Sequence, residues 1–196
     1  MPKRPPSRAV PNTTPPPALA SVAVGLASLI AYVALACPVA GGKDGGEFVL
    51  VLARLGLAHP TGYPLYTLLG HAFVTALHGT GASWAWAANV WSGLGGAVAM
   101  GLLHALLARL LAQTLGPTRA AAVAVLPLAI LALNPVWTDE TTLAEVYSWH
   151  LAWVAGASLF AHRAVRRIAD RASGTAALRG TALGWGVLLG LGAVHH

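Results

Sequence analysis

Long apolar segments separated by short polar islands constrain this chain more than any other feature. A helix needs about 20 predominantly apolar residues to cross the hydrocarbon core of a bilayer. Runs of that kind can be read at 18–39, 85–108, 120–133, 146–161 and 181–194, the third and fifth reaching across only with their flanks. Charged residues make up 9% of the chain, against roughly 25% in soluble domains. The predicted class is therefore all-α: a polytopic transmembrane bundle of about five spans. Residues 1–17, rich in proline and basic side chains, read as a disordered cytoplasmic tail, and 18–196 as one membrane domain.

A further apolar run, 65–77, has the length of a re-entrant or interfacial segment, and charge counting decides how to treat it. If it stays on one side, Lys3, Arg4, Arg8, Arg109, Arg119, Arg163, Arg166, Arg167, Arg171 and Arg179 share the cytoplasmic face, and only Lys43 and Arg54 lie outside. If it crosses, every arginine from Arg109 onward moves outside, against the positive-inside bias. The N-terminus is thus predicted inside, with Trp84, Trp86 and Trp137 at the outer interface as membrane anchors. The net charge of +6 is spent on topology, and no nucleic-acid partner is implied. Cys37, the single cysteine, excludes an intramolecular disulfide and any multi-cysteine metal site. Ala34-Leu35-Ala36-Cys37 loosely resembles a lipoprotein cleavage box, but the apolar stretch before it is longer than a signal core. The last apolar segment runs straight into His195-His196, which reads as part of a longer membrane protein.

In this arrangement five of the six carboxylates, Asp44, Glu47, Asp139, Glu140 and Glu145, fall in two outer islands, and the sixth, Asp170, sits in a basic linker. That placement points to one shared polar site. Asp44 and Glu47 are three apart and would share a helix face with Arg54, which predicts a short interfacial helix over 46–57. His59-Pro60-Thr61-Gly62-Tyr63-Pro64 predicts a rigid, non-helical turn. It either simply joins two helices or holds His59 and Tyr63 toward a phosphate or a sugar hydroxyl. Glu145, at the mouth of a span, is either a boundary residue in water or a carboxylate facing a cavity. Asp139 and Glu140 read as solvated loop charges. His71, His78, His104, His150 and His162 show no dense ligand pattern and read as packing or interface residues, so no metal is expected. The glycines within 93–101 are embedded in apolar sequence, the pattern of close helix packing rather than of a phosphate loop.

The runs DGGEF (44–48), LGLAHPTGYPLYTLLG (55–70) and LAEVYSWH (143–150), in this order and with similar gaps, resemble the protein O-mannosyltransferase-like membrane family, once known only as a domain of unknown function. The resemblance covers about 19–196. It implies similarity to the GT-C class of polytopic glycosyltransferases, which move a sugar from a polyprenyl-phosphate donor to a protein or glycan acceptor outside the cytosol. Carried over by motif position, it implies Asp44 as catalytic base and Glu47 as its acidic neighbour. Arg54, His59, Tyr63 and Glu145 become substrate-binding residues, and no cofactor is needed beyond the lipid-linked sugar. Two positions depart from the family pattern: Thr61 stands where a second proline is usual, and Gly45 where serine or alanine is usual. Family members have more spans, so this chain would supply the N-terminal part of an active site. The alternative is a non-catalytic multi-pass protein that binds lipid or serves as a scaffold. A transporter is disfavoured because no span centre carries a carboxylate or lysine suited to ion coupling. Abundant alanine and glycine, with arginine favoured over lysine, favour a bacterial plasma membrane over the endoplasmic reticulum.

Overall fold

The computed structural model describes residues 18–42, 44–60, 62–169 and 174–195. The tail 1–17, Lys43, Thr61, Asp170 and Arg171 lie outside the described residues. Every regular element among the described residues is helical: α1 (Ala18–Leu35), α2 (Gly45–Arg54), α3 (Pro64–His78), α4 (Trp84–Leu115), α5 (Pro117–Val123), α6 (Val125–Ala132), α7 (Pro135–Thr142), α8 (Tyr147–Ala169) and α9 (Thr175–His195). Two of these, α1 and α4, are long and apolar enough to cross a membrane. A third crossing arises if 117–142 is taken as one broken span, bent by 82° where α7 begins. The five predicted apolar runs are thus all helical, but only two of them have the length and apolarity of a span in their own right. Segment α8 loses that standing because its second half carries Arg163, Arg166 and Arg167. Segment α3 has 15 residues, about 22 Å at a rise of ~1.5 Å per residue, short of a hydrocarbon core of about 30 Å.

The central element is α4, against which α1, α3, α5, α7 and α8 pack. Its small residues make this possible. A methyl group at Gly96 would sit 2.5 Å from Thr141 Cγ2, and one at Gly95 2.8 Å from the Trp149 ring, so α7 and α8 rest directly on the backbone of α4. Gly25 and Gly101 bring α1 against the same helix, with 3.7 Å between a Gly25 Cβ position and the Gly101 Cα. The small-residue packing expected at 93–101 is what the structure uses.

Buried polar groups lock the register. His104 is almost fully buried. Its Nε2 donates to the Ala121 carbonyl at 2.9 Å, and its Nδ1 meets Ser21 Oγ at 3.0 Å. Because a carbonyl only accepts, the Nε2 proton is assigned, and in the neutral ring Nδ1 accepts a hydrogen bond from the Ser21 hydroxyl. His71 Nδ1 and His78 Nδ1 bond the carbonyls of Leu52 and Ala82, which agrees with their reading as packing residues. Trp137 corrects its predicted place at the interface: it is 7% exposed, and its indole N–H donates to Tyr32 Oη at 2.8 Å in the core between α1 and α7.

Candidate functional site

Asp44 stands at the N-terminal end of α2, its side chain making no capping hydrogen bond to the helix. Helix α2 forms because Phe48, Val51 and Leu52 recur at helical spacing and bury against Tyr66, Val74 and Trp91. It ends at Arg54, where Leu55 turns left-handed (φ 51°) and the Gly56 N–H closes onto the Val51 carbonyl. The helix read over 46–57 is therefore real but stops three residues earlier. After it the chain turns back, and Glu47 holds the return. The His59 N–H donates to Glu47 Oε1 at 2.6 Å, and His59 Nδ1 lies 3.2 Å from Glu47 Oε2. A carboxylate can only accept, so Nδ1 carries the proton and Nε2 is the nitrogen left for another partner. These bonds hold the Glu47 carboxyl below its ordinary value of 4.5, the backbone N–H of His59 being the largest cause.

The turn between α2 and α3 is non-helical at the described positions His59, Pro60, Gly62 and Tyr63. Gly62 has φ 90° and its N–H bonds the His59 carbonyl at 2.8 Å; Tyr63 is left-handed (φ 44°), and Pro64 opens α3. The Phe48 ring lies tilted at 5.6 Å from His59 and 5.8 Å from Tyr63, and those two rings are 5.7 Å apart, edge to face. His59, Tyr63 and Glu47 are thus gathered on one small platform. Arg54 is not. It is exposed at the far end of α2, about 10 Å along the axis from Glu47 at ~1.5 Å per residue.

The second acidic island comes to the first through helix α7. Asn134 caps it, its Oδ1 accepting from the N–H groups of Val136 and Trp137, and Pro135 occupies the first turn. Asp139 and Glu140 are therefore helical residues, not loop charges. A cavity of about 310 Å³ is lined by Asp44, Asp139, Glu140 and Glu145 together with Gly42, Leu143 and Tyr147. Cross-links hold the two islands in place. Cys37 N–H bonds the Thr142 carbonyl at 3.2 Å, and Asn89 Nδ2 donates to the carbonyls of Cys37 and Val39. Glu145 is 8% exposed. Ser92 Oγ both accepts from its N–H (2.9 Å) and donates to its carbonyl (2.8 Å). Sequence reasoning missed Tyr147 and undervalued Asp139 and Glu140; the Asn-Pro start of α7 was the signal that could have placed the two acids on a helix.

Donor atoms of Asp44, Glu47 and His59 lie within 4.8 Å of one another. Among the described residues this trio is the group whose spacing could hold a metal ion; it includes none of the five histidines read as packing or interface residues. Glu47 and His59 already satisfy one another as a pair.

Residues 44–196 match the family model described as the protein O-mannosyl-transferase TMEM260 N-terminal domain. The chain belongs to this family. The family's match begins at Asp44, the first residue of the cavity's acidic set. Among curated relatives the chain is similar to protein O-mannosyl-transferase TMEM260 of Mus musculus, 41% identical over 104 residues covering 53% of the chain and 14% of the relative. It is also similar to protein O-mannosyl-transferase tmem260 of Dictyostelium discoideum, 39% identical over 62 residues covering 32% of the chain and 8% of the relative. The chain thus spans a small fraction of the length of these family members. No solved structure matches it.

Proposed function

We propose that this chain forms the acidic part of the active site of a membrane O-mannosyltransferase, with Asp44 as the catalytic base. The observation that carries the reading is the convergence of Asp44 with Asp139, Glu140 and Glu145 on one cavity, with Asp44 also within 4.8 Å of Glu47 and His59. A carboxylate at Asp44 takes the proton of a serine or threonine hydroxyl as its oxygen bonds to the anomeric carbon. The bond from that carbon to the lipid phosphate breaks on the opposite face, and the electron pair leaves with the phosphate. The donor is a polyprenyl-phosphate sugar, and the acceptor a protein outside the cytosol. His59, whose Nε2 is the nitrogen left after pairing with Glu47, is better placed than Arg54 to receive the phosphate. Tyr63 and Glu145 border the sugar. The rest of the reading is a GT-C-like bundle of five spans in the plasma membrane with a cytoplasmic N-terminus, supported by the ten-to-two division of basic residues between its two faces. The bacterial compartment rests on composition alone, and the relatives matched are eukaryotic.

The deciding experiment is sugar transfer by membranes expressing the full-length protein, supplied in turn with radiolabelled polyprenyl-phosphate sugars. Asp44→Asn is expected to lower transfer by about 10²- to 10⁴-fold, the contribution of a positioned general base, with membrane insertion intact. Transfer at the wild-type rate in the variant rejects Asp44 as base. Absence of transfer from every donor by a correctly inserted wild type favours the non-catalytic membrane partner.

A further inference from the structure

We propose that the groove between α1, α4 and α8, at the end of the bundle away from the acidic cavity, binds one anionic phospholipid. Its acyl chain lies along the groove and its phosphate between Arg109 and Arg163. The site rests on the membrane setting and not on the transferase reading.

The groove has a volume of about 400 Å³, and its walls are apolar except at one end. Val22 and Leu26 of α1 and Val98 of α4 are exposed along it. Its depth follows from the register of α1 against α4. Gly25 lies against the Ala97 carbonyl, and Ser21 bonds His104, so the two helices run antiparallel with Ala18 toward Arg109. From Ala18 to Leu29, the stretch of α1 in the groove, the rise is about 16 Å at ~1.5 Å per residue. One leaflet of hydrocarbon is about 15 Å deep, half of the usual ~30 Å core. The α1 wall of the groove is therefore about as long as one acyl chain, with guanidinium groups at the end where that chain's headgroup belongs.

Charge supplies the second argument. Arg109 and Arg163 line the same groove from two different helices, and their charges act on one another and on His162. Arg109 Nη1 donates to the Ala105 carbonyl at 2.8 Å, which uses one of five guanidinium donors. Among the described residues neither guanidinium forms an ion pair with a carboxylate, the pair Glu47–His59 lying in the outer turn. Like charges brought together without a counter-ion repel, and a phosphate shared between two guanidiniums removes that repulsion and accepts from both. Basic pockets between membrane helices recognise anionic headgroups in this way.

The test is native mass spectrometry of the full protein in neutral detergent, titrated with phosphatidylglycerol or with phosphatidylcholine of the same acyl chains. The wild type is expected to retain one phosphatidylglycerol with a preference of about tenfold over phosphatidylcholine, declining as salt is raised. The double variant Arg109→Gln/Arg163→Gln should retain the two lipids equally, Arg109→Lys/Arg163→Lys should keep most of the preference, and Leu26→Trp should lower retention of both by filling the groove. Circular dichroism checks that each variant keeps its helix. The proposal is overturned by equal retention in the wild type, as expected if later segments of a longer chain cover the groove. It is overturned equally by a preference that survives the glutamine variant or by one that ignores salt.

Discussion

Glu47 accepts from both the backbone and the ring of His59, and this double acceptance lowers its carboxyl from the ordinary value of 4.5. A carboxyl depressed in the folded state favours folding above its unfolded value and loses that contribution as pH falls through the lower folded value. The turn after α2 should therefore stay closed at all pH values above about 4.5 and loosen only below it. Proteolysis between Leu55 and Tyr63 is expected to accelerate in that acid window alone, and Glu47→Gln to remove the dependence; cleavage that rises already near neutrality contradicts the assignment. The motif order made the acid–histidine association legible, since DGGEF and the HPTGYP turn lie on either side of one short helix. Which of the two acids meets the imidazole was not legible. Asp44 and Glu47 are equivalent at the level of residue type, and only the path of the chain through the left-handed Leu55 brings His59 to Glu47 and leaves Asp44 facing the cavity.

Helix α4 is the element on which the site is mounted, and its glycines were readable as packing positions because polar function has no use for them in an apolar run. Their partners were not readable. Gly96→Leu should destabilise the protein by about 1–3 kcal/mol or more through overpacking, since even one methyl there meets Thr141 at 2.5 Å; the check is the thermal midpoint in detergent. Ser92→Ala should cost about 1–3 kcal/mol by leaving the buried N–H of Glu145 without its acceptor. It should also reduce transfer, because Glu145 is then no longer held at the mouth of the cavity. A thermal loss with full activity would make Ser92 purely structural. Helix α7 carries the opposite lesson. Its cap and proline are plain in the sequence, but only Val136 and Trp137 among its eight residues are large and apolar, too few for hydrophobic periodicity, the stronger signal in longer helices, to show there.

Among the described residues Asp44, Asp139, Glu140 and Glu145 line one cavity, and the groove bearing Arg109 and Arg163 runs toward the other end of α4, so the fold holds the acidic cavity and the arginine-bearing end of the groove apart. The displacement proposed for the cavity uses Asp44 as base and calls on no metal ion, so transfer is expected to survive chelation by EDTA. Loss of transfer restored by magnesium or manganese would instead place a cation on Asp44, Glu47 and His59, whose donor atoms are within 4.8 Å of one another. By itself the sequence determined the helical membrane class, the places of the apolar segments, and the family, because each depends on composition or short motifs that act locally. Only the tertiary structure decided that α7 packs against α1 and α4, that Trp137 is a core residue, and that residues about a hundred positions apart line one cavity. Those outcomes depend on which helix faces meet, and the meeting is set by close backbone approach at a few glycines and by buried hydrogen bonds such as Trp137 to Tyr32 and Ser92 to Glu145. Their geometry exists only once the helices have packed.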